Sequence, residues 1–446
     1  MGRLFGTDGV RGVFGRDLTI EIAHGLGRAA AVVLRRHDGR HEEERPTLVV
    51  GRDTRASGRL LELALVDGIQ AAGADAILAG VQPTPAVAFM TPDLHAAAGV
   101  VISGSHNPAE DNGIKFFGPL GYKLPDDLED EIEEEYRRGG GLGGPPGRIL
   151  PLPGGERSYL DHLAEAAEAS LSGMKVVVDC ANGAAFEVAP EALRRLGAEV
   201  IPVFDQPDGR NINAGCGALH PEVVAEAVRA HGADAGVAHD GDADRAMFAD
   251  TDGRVIDGDH VLAACALALR DAGRLDGNTV VTTVMANLGF HRAMEAAGIG
   301  VVTTRVGDRY VLEEMLRCGA VLGGEQSGHV IFRQHATTGD GVLTAIRFLS
   351  LAAARGCSLA ELASVMRRFP QVLENVRVAH KERLDDADEV WGAVRAAEVE
   401  LGASGRVLVR ASGTEPLVRV MVEAESEVEA RRHAEALTAA VRAALS

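Results

Sequence analysis

The sequence has few lysines, no long apolar run and fewer basic than acidic residues. No stretch of its 446 residues approaches the roughly 18 consecutive apolar residues that a membrane-spanning helix needs. The amino terminus, MGRLFGTDGVRG, lacks the apolar core of a secretory signal. We therefore expect a cytoplasmic protein that binds no membrane.

Positive charge is in short supply, since 45 Lys and Arg stand against 65 Asp and Glu, for a formal net charge of −20. Non-specific binding to nucleic acids or anionic membranes depends on clustered positive charge, so we predict no nucleic-acid partner. An anionic substrate would need local arginines, backbone N–H groups or a metal ion. The 46% of hydrophobic residues is ordinary for a globular chain, and the length predicts three or four domains.

Most of the basic residues are arginines, because the only lysines are Lys115, Lys123, Lys175 and Lys381. None follows a glycine, which excludes the Gly-Lys-Ser/Thr step of a P-loop NTPase. The five cysteines are scattered without a Cys-x-x-Cys pair, so we predict neither a disulfide framework nor a zinc knuckle. Arginine is the default base of this chain, and each lysine therefore marks a position of interest.

Apolar, β-branched runs alternate with stretches of helical period in three successive sets, which is typical of α/β units with a largely parallel sheet. The predicted strands are Thr47–Gly51, Ala76–Gly80 and Ala98–Ile102, then Lys175–Asp179, Glu199–Phe204 and Ala235–Ala238, then Thr279–Val284, Gly298–Thr303 and Ala320–Leu322. A helix is predicted over Leu60–Ala72. The common order of the three sets predicts an internal structural repeat.

The carboxyl-terminal part differs and predicts a small α+β domain. Its predicted elements are strands Gln371–Arg377, Arg406–Arg410 and Leu417–Glu423, a helix over Asp386–Leu401 and a final helix capped by Ser426. The stretch Arg137–Gly155 is too rich in Gly and Pro for a helix or a central strand and predicts a linker. We therefore predict domains over residues 1–138, 156–253, 254–368 and 369–446, with a linker over 139–155.

In each of the three α/β sets, the third predicted strand is followed by a polar loop that contains glycine. The loops are Ser103–Pro108, His239–Arg245 and Gly323–His329, and the last domain carries a fourth at Arg410–Pro416. Ligands of open parallel sheets bind beyond the carboxyl ends of the strands. Three similar α/β domains and a smaller α+β domain would therefore present their loops to one central cleft.

The loop HDGDADR spaces three carboxylates, Asp240, Asp242 and Asp244, at every second residue, and hard divalent cations prefer such oxygens. An EF-hand is excluded because Arg245 stands at its glycine position and Thr251 at its glutamate position. A Mg²⁺ site completed by a phosphate oxygen is the functional hypothesis. A solvated acidic turn is the alternative.

The loop SGSHNP places the hydroxyl of Ser105 beside the imidazole of His106. The Gly-x-Ser-x-Gly elbow of α/β-hydrolases is absent because Asn107 stands at its last position. Just downstream, DNGIKFF contains Lys115, a candidate acid/base group or phosphate-side cation, because lysine can lose its proton when desolvated. The alternative is an ordinary turn, in which a serine side chain caps the backbone and has no chemical role.

Two further loops suit a sugar phosphate. RASGTEP sets two hydroxyls and backbone N–H groups between Arg410 and Arg419, as a phosphate-binding loop would, and an ordinary β-turn is the alternative. GEQSGH offers groups suited to sugar hydroxyls, with a helix-capping loop as the alternative. The segment Gly25–Ala30 mimics Gly-x-Gly-x-x-Ala, but no strand precedes it, so we predict no dinucleotide site there.

Six motifs together resemble the α-D-phosphohexomutase family over essentially the whole chain: GTDGVRG, GRDTRASG, SHNP, DGDADR, VGDRYV and RASGTEP. The resemblance implies an isomerase with four domains around a cleft, a phosphoserine at Ser105 and a bisphosphorylated hexosamine intermediate. It implies one Mg²⁺ held by Asp240, Asp242, Asp244 and a phosphate oxygen on Ser105. The partner it implies is a small sugar phosphate, and a homodimer is left open.

The resemblance also implies roles for matching residues. The catalytic residues would be Ser105, His106, Lys115 and Arg11. The substrate-binding residues would be Arg245, Glu325, Ser327, His329, Arg410, Ser412, Gly413, Thr414 and Arg419.

The sugar loop GEQSGH and the segment NINAGCGALHPE (Asn211–Glu222) resemble the family members that act on glucosamine phosphate. Relatives specific for mannose or glucose phosphate tend to have Met at the position of Gln326, and that specificity is the first alternative. A Mg²⁺-dependent phosphatase and a silent sugar-phosphate-binding protein are alternatives from other classes. The presence of Ser105, Lys115 and the three aspartates argues against the silent protein.

Overall fold

The computed structural model describes residues 3–6, 8–37, 45–140, 145–154, 157–412 and 416–445. The chain divides into two compact units. The larger contains residues 1–284 and 300–364, and the smaller contains residues 285–299 and 365–446.

The larger unit begins with a six-stranded sheet. Its strands are β1 (Val10–Val13), β2 (Thr47–Arg52), β3 (Asp75–Val81), β4 (Ala98–Ile102), β5 (Asp111–Phe117) and β6 (Ile149–Leu150), in the order β1-β5-β4-β2-β3-β6. Its helices are α1 (Ile20–His37), α2 (Ala56–Ala71), α3 (Thr84–Asp93) and α4 (Asp126–Arg138). Every residue of β4 is buried, as expected for a strand covered on both faces.

Helices α1 and α2 pack closely because glycine lines their contact. A Cβ at Gly27 would lie 2.2 Å from the carbonyl oxygen of Leu65, so no larger residue fits there. The segment Gly25–Ala30 lies within α1, and its Gly27 allows the close approach of α2.

The second sheet contains β7 (Lys175–Asp179), β8 (Glu199–Val203), β9 (Ala235–His239), β10 (Ala246–Ala249) and β11 (Val255–Ile256), in the order β11-β10-β9-β7-β8. The accompanying helices are α5 (Arg157–Glu165), α6 (Val188–Arg195) and α7 (Pro221–His231).

The third sheet contains β12 (Thr279–Thr283), β13 (Gly300–Thr304), β14 (Leu322–Gly324) and β15 (Val330–Phe332), in the order β13-β12-β14-β15. The helices of this stretch are α8 (Gly258–Asp271), α9 (Leu288–Ala296), α10 (Asp308–Cys318), α11 (Gly341–Arg355) and α12 (Leu359–Ala363). Helix α9 packs in the smaller unit, although it lies between β12 and β13 in the chain.

The smaller unit has an antiparallel sheet of β16 (Gln371–Arg377), β17 (Arg406–Ala411) and β18 (Leu417–Glu423), in the order β16-β18-β17. Helices α13 (Asp388–Leu401) and α14 (Glu427–Leu445) accompany it. The buried carboxylate of Glu423 accepts hydrogen bonds from the backbone N–H of Leu288 (3.0 Å) and from the amide of Asn287 (3.1 Å). These bonds tie the first turn of α9 to β18.

The predicted fold class is confirmed: three similar α/β domains precede a smaller α+β domain. The repeat is visible in strand order, since β3-β2-β4-β5, β8-β7-β9-β10 and β13-β12-β14-β15 follow one pattern. In each pattern, the third strand and an antiparallel fourth strand are joined by one of the polar loops predicted to carry the chemistry, which we call the chemical loops.

Several local bounds need correction. The helix predicted over Leu60–Ala72 begins at Ala56, and the strand predicted over Gly298–Thr303 begins at Gly300. The predicted linker contains β6, which pairs in parallel with β3 at the sheet edge, where the lack of a second neighbour tolerates a Pro- and Gly-rich context. The strand predicted over Ala320–Leu322 begins two residues later, at Leu322.

Among the helices of the described residues, none combines the length and the hydropathy that a membrane span requires.

Candidate functional site

The first two chemical loops meet at Ser105, which is buried and adopts a left-handed backbone conformation with φ of 50°. Its hydroxyl donates a hydrogen bond to Oδ2 of Asp240 (2.9 Å) and lies 3.3 Å from Nδ1 of His106. Burial and the charge of Arg245 lower the pKa of His106 to about 4. The imidazole beside the serine is therefore neutral near pH 7.

A buried network fixes the serine loop from behind. The hydroxyl of Ser103 donates to Oδ2 of Asp53 (2.5 Å) and accepts the backbone N–H of Ser105 (2.9 Å). Arg55 forms an ion pair with Asp53 and donates to the carbonyl oxygens of Ser105 (3.1 Å) and Asn107 (2.6 Å). The backbone around Ser105 is thus held before any ligand binds.

The three aspartates of the second loop converge, with one oxygen from each lying within 4.8 Å of the others. All three are buried, and burial with mutual repulsion raises the pKa of Asp240 and of Asp242. Asp242 accepts a hydrogen bond from Thr84 Oγ1 (2.6 Å) through one oxygen. The other oxygen has no hydrogen-bond partner among the described residues, and the same holds for Oδ1 of Asp244. Such a set of hard oxygens fits a divalent cation.

Asp244 links the acidic loop to the sugar loop. Its Oδ2 lies 3.3 Å from Nδ1 of His329. Although burial opposes both shifts, this pair raises the pKa of His329 to about 9 and lowers the pKa of Asp244. Nε2 of His329 accepts the backbone N–H of Gly339 (3.2 Å), so the ring proton lies on Nδ1, toward Asp244. Arg245 adds a buried cation beside the loop.

Lys115 lies in β5 and points its ammonium group at Asp8, with 2.8 Å between Nζ and Oδ1. Lys123 binds the same oxygen at 2.7 Å, and Arg11 pairs with the other. Burial alone would lower the pKa of Lys115, but Asp8 and, after it, Asp308 outweigh that effect and raise it. Lys115 is therefore a cation at rest rather than a neutral base.

The third loop presents Glu325, whose Oε1 accepts the backbone N–H of Gly307 (3.0 Å). The hydroxyl of Ser327 is buried and has no hydrogen-bond partner among the described residues. A cavity of about 200 Å³ opens nearby, and its walls include Lys115, Asp308 and His329. Lys115 of β5 and His329 of the third loop therefore line one cavity.

In the smaller unit, Arg410 and Arg419 lie directly opposite each other on β17 and β18. Partial burial and the charge of Arg419 lower the pKa of Arg410. The backbone N–H of Ser412 donates to Leu417 (2.9 Å), and Lys381 Nζ donates to the carbonyl of Ser412 (2.7 Å). The predicted Gly413 and Thr414 lie outside the described residues.

Sequence reasoning missed several residues that hold these loops. Asp8 and Arg55 lie in the motifs GTDGVRG and GRDTRASG, but no role was assigned to them, because their contacts with Lys115 and with the serine loop are long-range. Thr84, which binds Asp242, lies in none of the six motifs. Lys123 and Lys381 carried a usable signal, because lysine is scarce: Lys123 binds Asp8, and Lys381 binds the backbone of the predicted phosphate loop at Ser412.

Four domain families described as phosphoglucomutase/phosphomannomutase match this chain. The matches are alpha/beta/alpha domain I over residues 2–140, domain II over 157–253, domain III over 257–369 and the C-terminal domain over 373–440.

The phosphoglucosamine mutase of Desulforudis audaxviator is 54% identical over 96% of this chain and 95% of its own. Among solved structures, a phosphoglucomutase/phosphomannomutase family protein from Burkholderia thailandensis is similar, with a TM-score of 0.84, 25% identity and coverage of 99% of this chain and 97% of its own. Aspergillus fumigatus N-acetylphosphoglucosamine mutase in complex with GlcNAc-6P and magnesium shares the fold, with a TM-score of 0.69, 19% identity and coverage of 99% and 96%.

Proposed function

Because this chain belongs to the phosphoglucomutase/phosphomannomutase family of isomerases, we propose that it interconverts glucosamine 6-phosphate and glucosamine 1-phosphate. The observation that carries the proposal is the contact of Ser105 with the acidic loop, 2.9 Å from its hydroxyl to Asp240, in a loop whose Asp242 interacts electrostatically with Lys115. Glucosamine 1-phosphate would supply amino-sugar nucleotide synthesis for cell-wall precursors.

Ser105 carries the transferable phosphoryl group in this proposal. The sugar hydroxyl attacks phosphorus and loses its proton, the bond to Ser105 Oγ breaks, Oγ takes up a proton to become a hydroxyl, and a hexosamine bisphosphate forms. After the sugar turns by about half a revolution, Ser105 takes the other phosphoryl group. Phosphoryl transfer depends on in-line positioning and on charge neutralisation. Lys115 and Arg11 supply positive charge beside the group, and the neutral His106 is within reach of a proton at Oγ.

Asp240, Asp242 and Asp244, with a phosphate oxygen on Ser105, would hold Mg²⁺. When bound, the ion would neutralise charge on the transferring phosphoryl group. The aspartates would keep that charge next to Ser105, and their buried oxygens without partners support this role. Thr84 would keep the Asp242 carboxylate turned toward the site.

The other substrate groups would be bound by the remaining loops. Glu325 and Ser327 would accept hydrogen bonds from sugar hydroxyls, Ser327 would also donate one, and His329 and the cation Arg245 would lie nearby. The non-reacting phosphate would be bound by Arg410, Ser412, Gly413, Thr414 and Arg419. Since both ends of the bisphosphate carry phosphate, one such loop could hold either end.

The choice of glucosamine over glucose or mannose phosphate rests on Gln326 in the sugar loop and on the 54% identity to a phosphoglucosamine mutase. An amino group and a hydroxyl both donate and accept hydrogen bonds, so we expect partial rather than absolute discrimination. A cytoplasmic location and a homodimer stay predictions.

The mutase and the phosphatase hypotheses differ in the fate of the phosphoryl group. Purified protein given glucosamine 6-phosphate, Mg²⁺ and a trace of hexose bisphosphate should form the 1-phosphate with little inorganic phosphate. Release of inorganic phosphate at the rate of substrate loss, without isomer, would establish the phosphatase instead.

A further inference from the structure

Asn213 lies in the segment NINAGCG, which the proposed chemistry does not use. Its side-chain amide nitrogen donates to two carbonyl oxygens of the serine loop, that of Ser105 (2.9 Å) and that of Asn107 (3.1 Å). Asn213 belongs to the second α/β domain and the serine loop to the first. One amide therefore bridges the domain that carries the serine and the domain that carries the acidic loop.

The conformation of Asn213 is fixed by its own domain. Its φ is 57°, in the left-handed region, and its backbone N–H donates to the carbonyl of Ala181 (2.9 Å). The buried carboxylate of Asp179, at the end of β7, accepts the N–H groups of Ala181 and Gly217 (2.8 Å each). The backbone of Asn213 is thus anchored to the second sheet, and strand β9 of that sheet leads into the acidic loop.

The acidic loop lies against the hydrogen bond between Asn213 and Ser105. A Cβ at Gly241 would lie 2.6 Å from the carbonyl oxygen of Ser105 and 2.8 Å from the amide nitrogen of Asn213. Gly241 lies between Asp240 and Asp242, so the backbone of the acidic loop, the serine carbonyl and the Asn213 amide meet at one point.

Arg55 binds the same two carbonyls but cannot replace this contact, because Arg55 and its partner Asp53 belong to the first domain. They fix the shape of the serine loop. Asn213 fixes its place relative to the aspartates.

We infer that Asn213 is a positioning residue, which holds Ser105 in register with the acidic loop for phosphoryl transfer. The inference rests on the proposed function for its effect on catalysis. A small displacement of a reacting group can cost a large factor in rate, while substrate binding elsewhere is spared. Loss of the amide should therefore lower kcat and leave KM nearly unchanged.

The test compares Asn213→Gly with Asn213→Asp. Glycine accepts the left-handed backbone and removes only the side-chain bonds. Aspartate keeps the shape but turns a carboxylate toward two carbonyl oxygens. We expect kcat to fall about tenfold with Asn213→Gly and about a hundredfold with Asn213→Asp, with KM within about threefold of the parent protein. Asn278→Gly, at another left-handed asparagine (φ 49°), is the matched control and should change neither.

Amide hydrogen exchange of residues 103–108 in the metal-free, unphosphorylated protein gives a readout that does not depend on activity. Faster exchange in Asn213→Gly, with the rest of the chain unchanged, supports the inference. Exchange and kcat equal to those of the Asn278→Gly control overturn it, as does a fall in kcat that only tracks the folded fraction. If the parent protein isomerises no hexose phosphate, the proposed function fails, and exchange alone then decides whether Asn213 holds the serine loop.

Discussion

Replacing Arg55 by methionine should destabilise the larger unit through the charge that it leaves behind. The side chains of Arg55 and Asp53 are both fully buried and form an ion pair. Breaking a buried pair by removing one partner costs about 3–5 kcal/mol, because the remaining charge is uncompensated. Among the described residues, Asp53 would keep hydrogen bonds from the Ser103 hydroxyl and the backbone N–H of residue 55.

A double-mutant cycle measures this cost. Urea unfolding should show Arg55→Met less stable by about 3–5 kcal/mol. Adding Asp53→Asn should restore part of the loss, since no buried charge then lacks a partner. Arg138→Met is the control: Arg138 and its partner Glu134 are 58% and 59% exposed, so its removal should cost less than about 1 kcal/mol.

Two results would refute this reasoning. One is a loss below about 1 kcal/mol for Arg55→Met, which would mean that the pair contributes no more than an exposed one. The other is a double variant that is as unstable as the sum of the two single variants, which would mean that Asp53 and Arg55 do not interact.

Three further predictions concern the serine, the acidic loop and a buried glutamate. Ser105→Ala should keep its fold by circular dichroism, lose nearly all mutase activity and carry no covalent phosphate by intact mass; substantial turnover would remove Ser105 from its role. Asp242→Asn should weaken the response to Mg²⁺ and reduce the rate by orders of magnitude, because an amide stabilises a cation less than a carboxylate does; an unchanged Mg²⁺ titration of the rate would place the metal elsewhere. Burial raises the pKa of Glu129 to about 7 from an ordinary 4.5, so its contribution to stability is fully present below about pH 4.5 and is lost as pH rises through about 7. Glu129→Gln should therefore raise the melting temperature at pH 8, by the equivalent of up to about 3 kcal/mol, and change it little at pH 5; an equal shift at both pH values would contradict the assignment.

The chemical loops were predictable because each lies at the end of a strand with a clear apolar pattern. The strand Ala98–Ile102 and the loop after it follow from local sequence alone. Their supports do not, because Arg55 is 50 residues from Ser105 and Asn213 is 108 residues from it. The charge state of Lys115 also escaped prediction, since it depends on the distant Asp8. Local patterns thus indicate where chemistry lies, whereas its preorganisation depends on tertiary contacts.

The most direct test of the account is an isomerase assay that compares glucosamine, glucose and mannose 6-phosphates with the same preparation of phosphorylated protein. The account predicts formation of the 1-phosphate with the highest kcat/KM for glucosamine 6-phosphate and weak residual activity on glucose 6-phosphate. Equal or better turnover of glucose or mannose phosphate would contradict the assigned substrate and favour a phosphomannomutase/phosphoglucomutase.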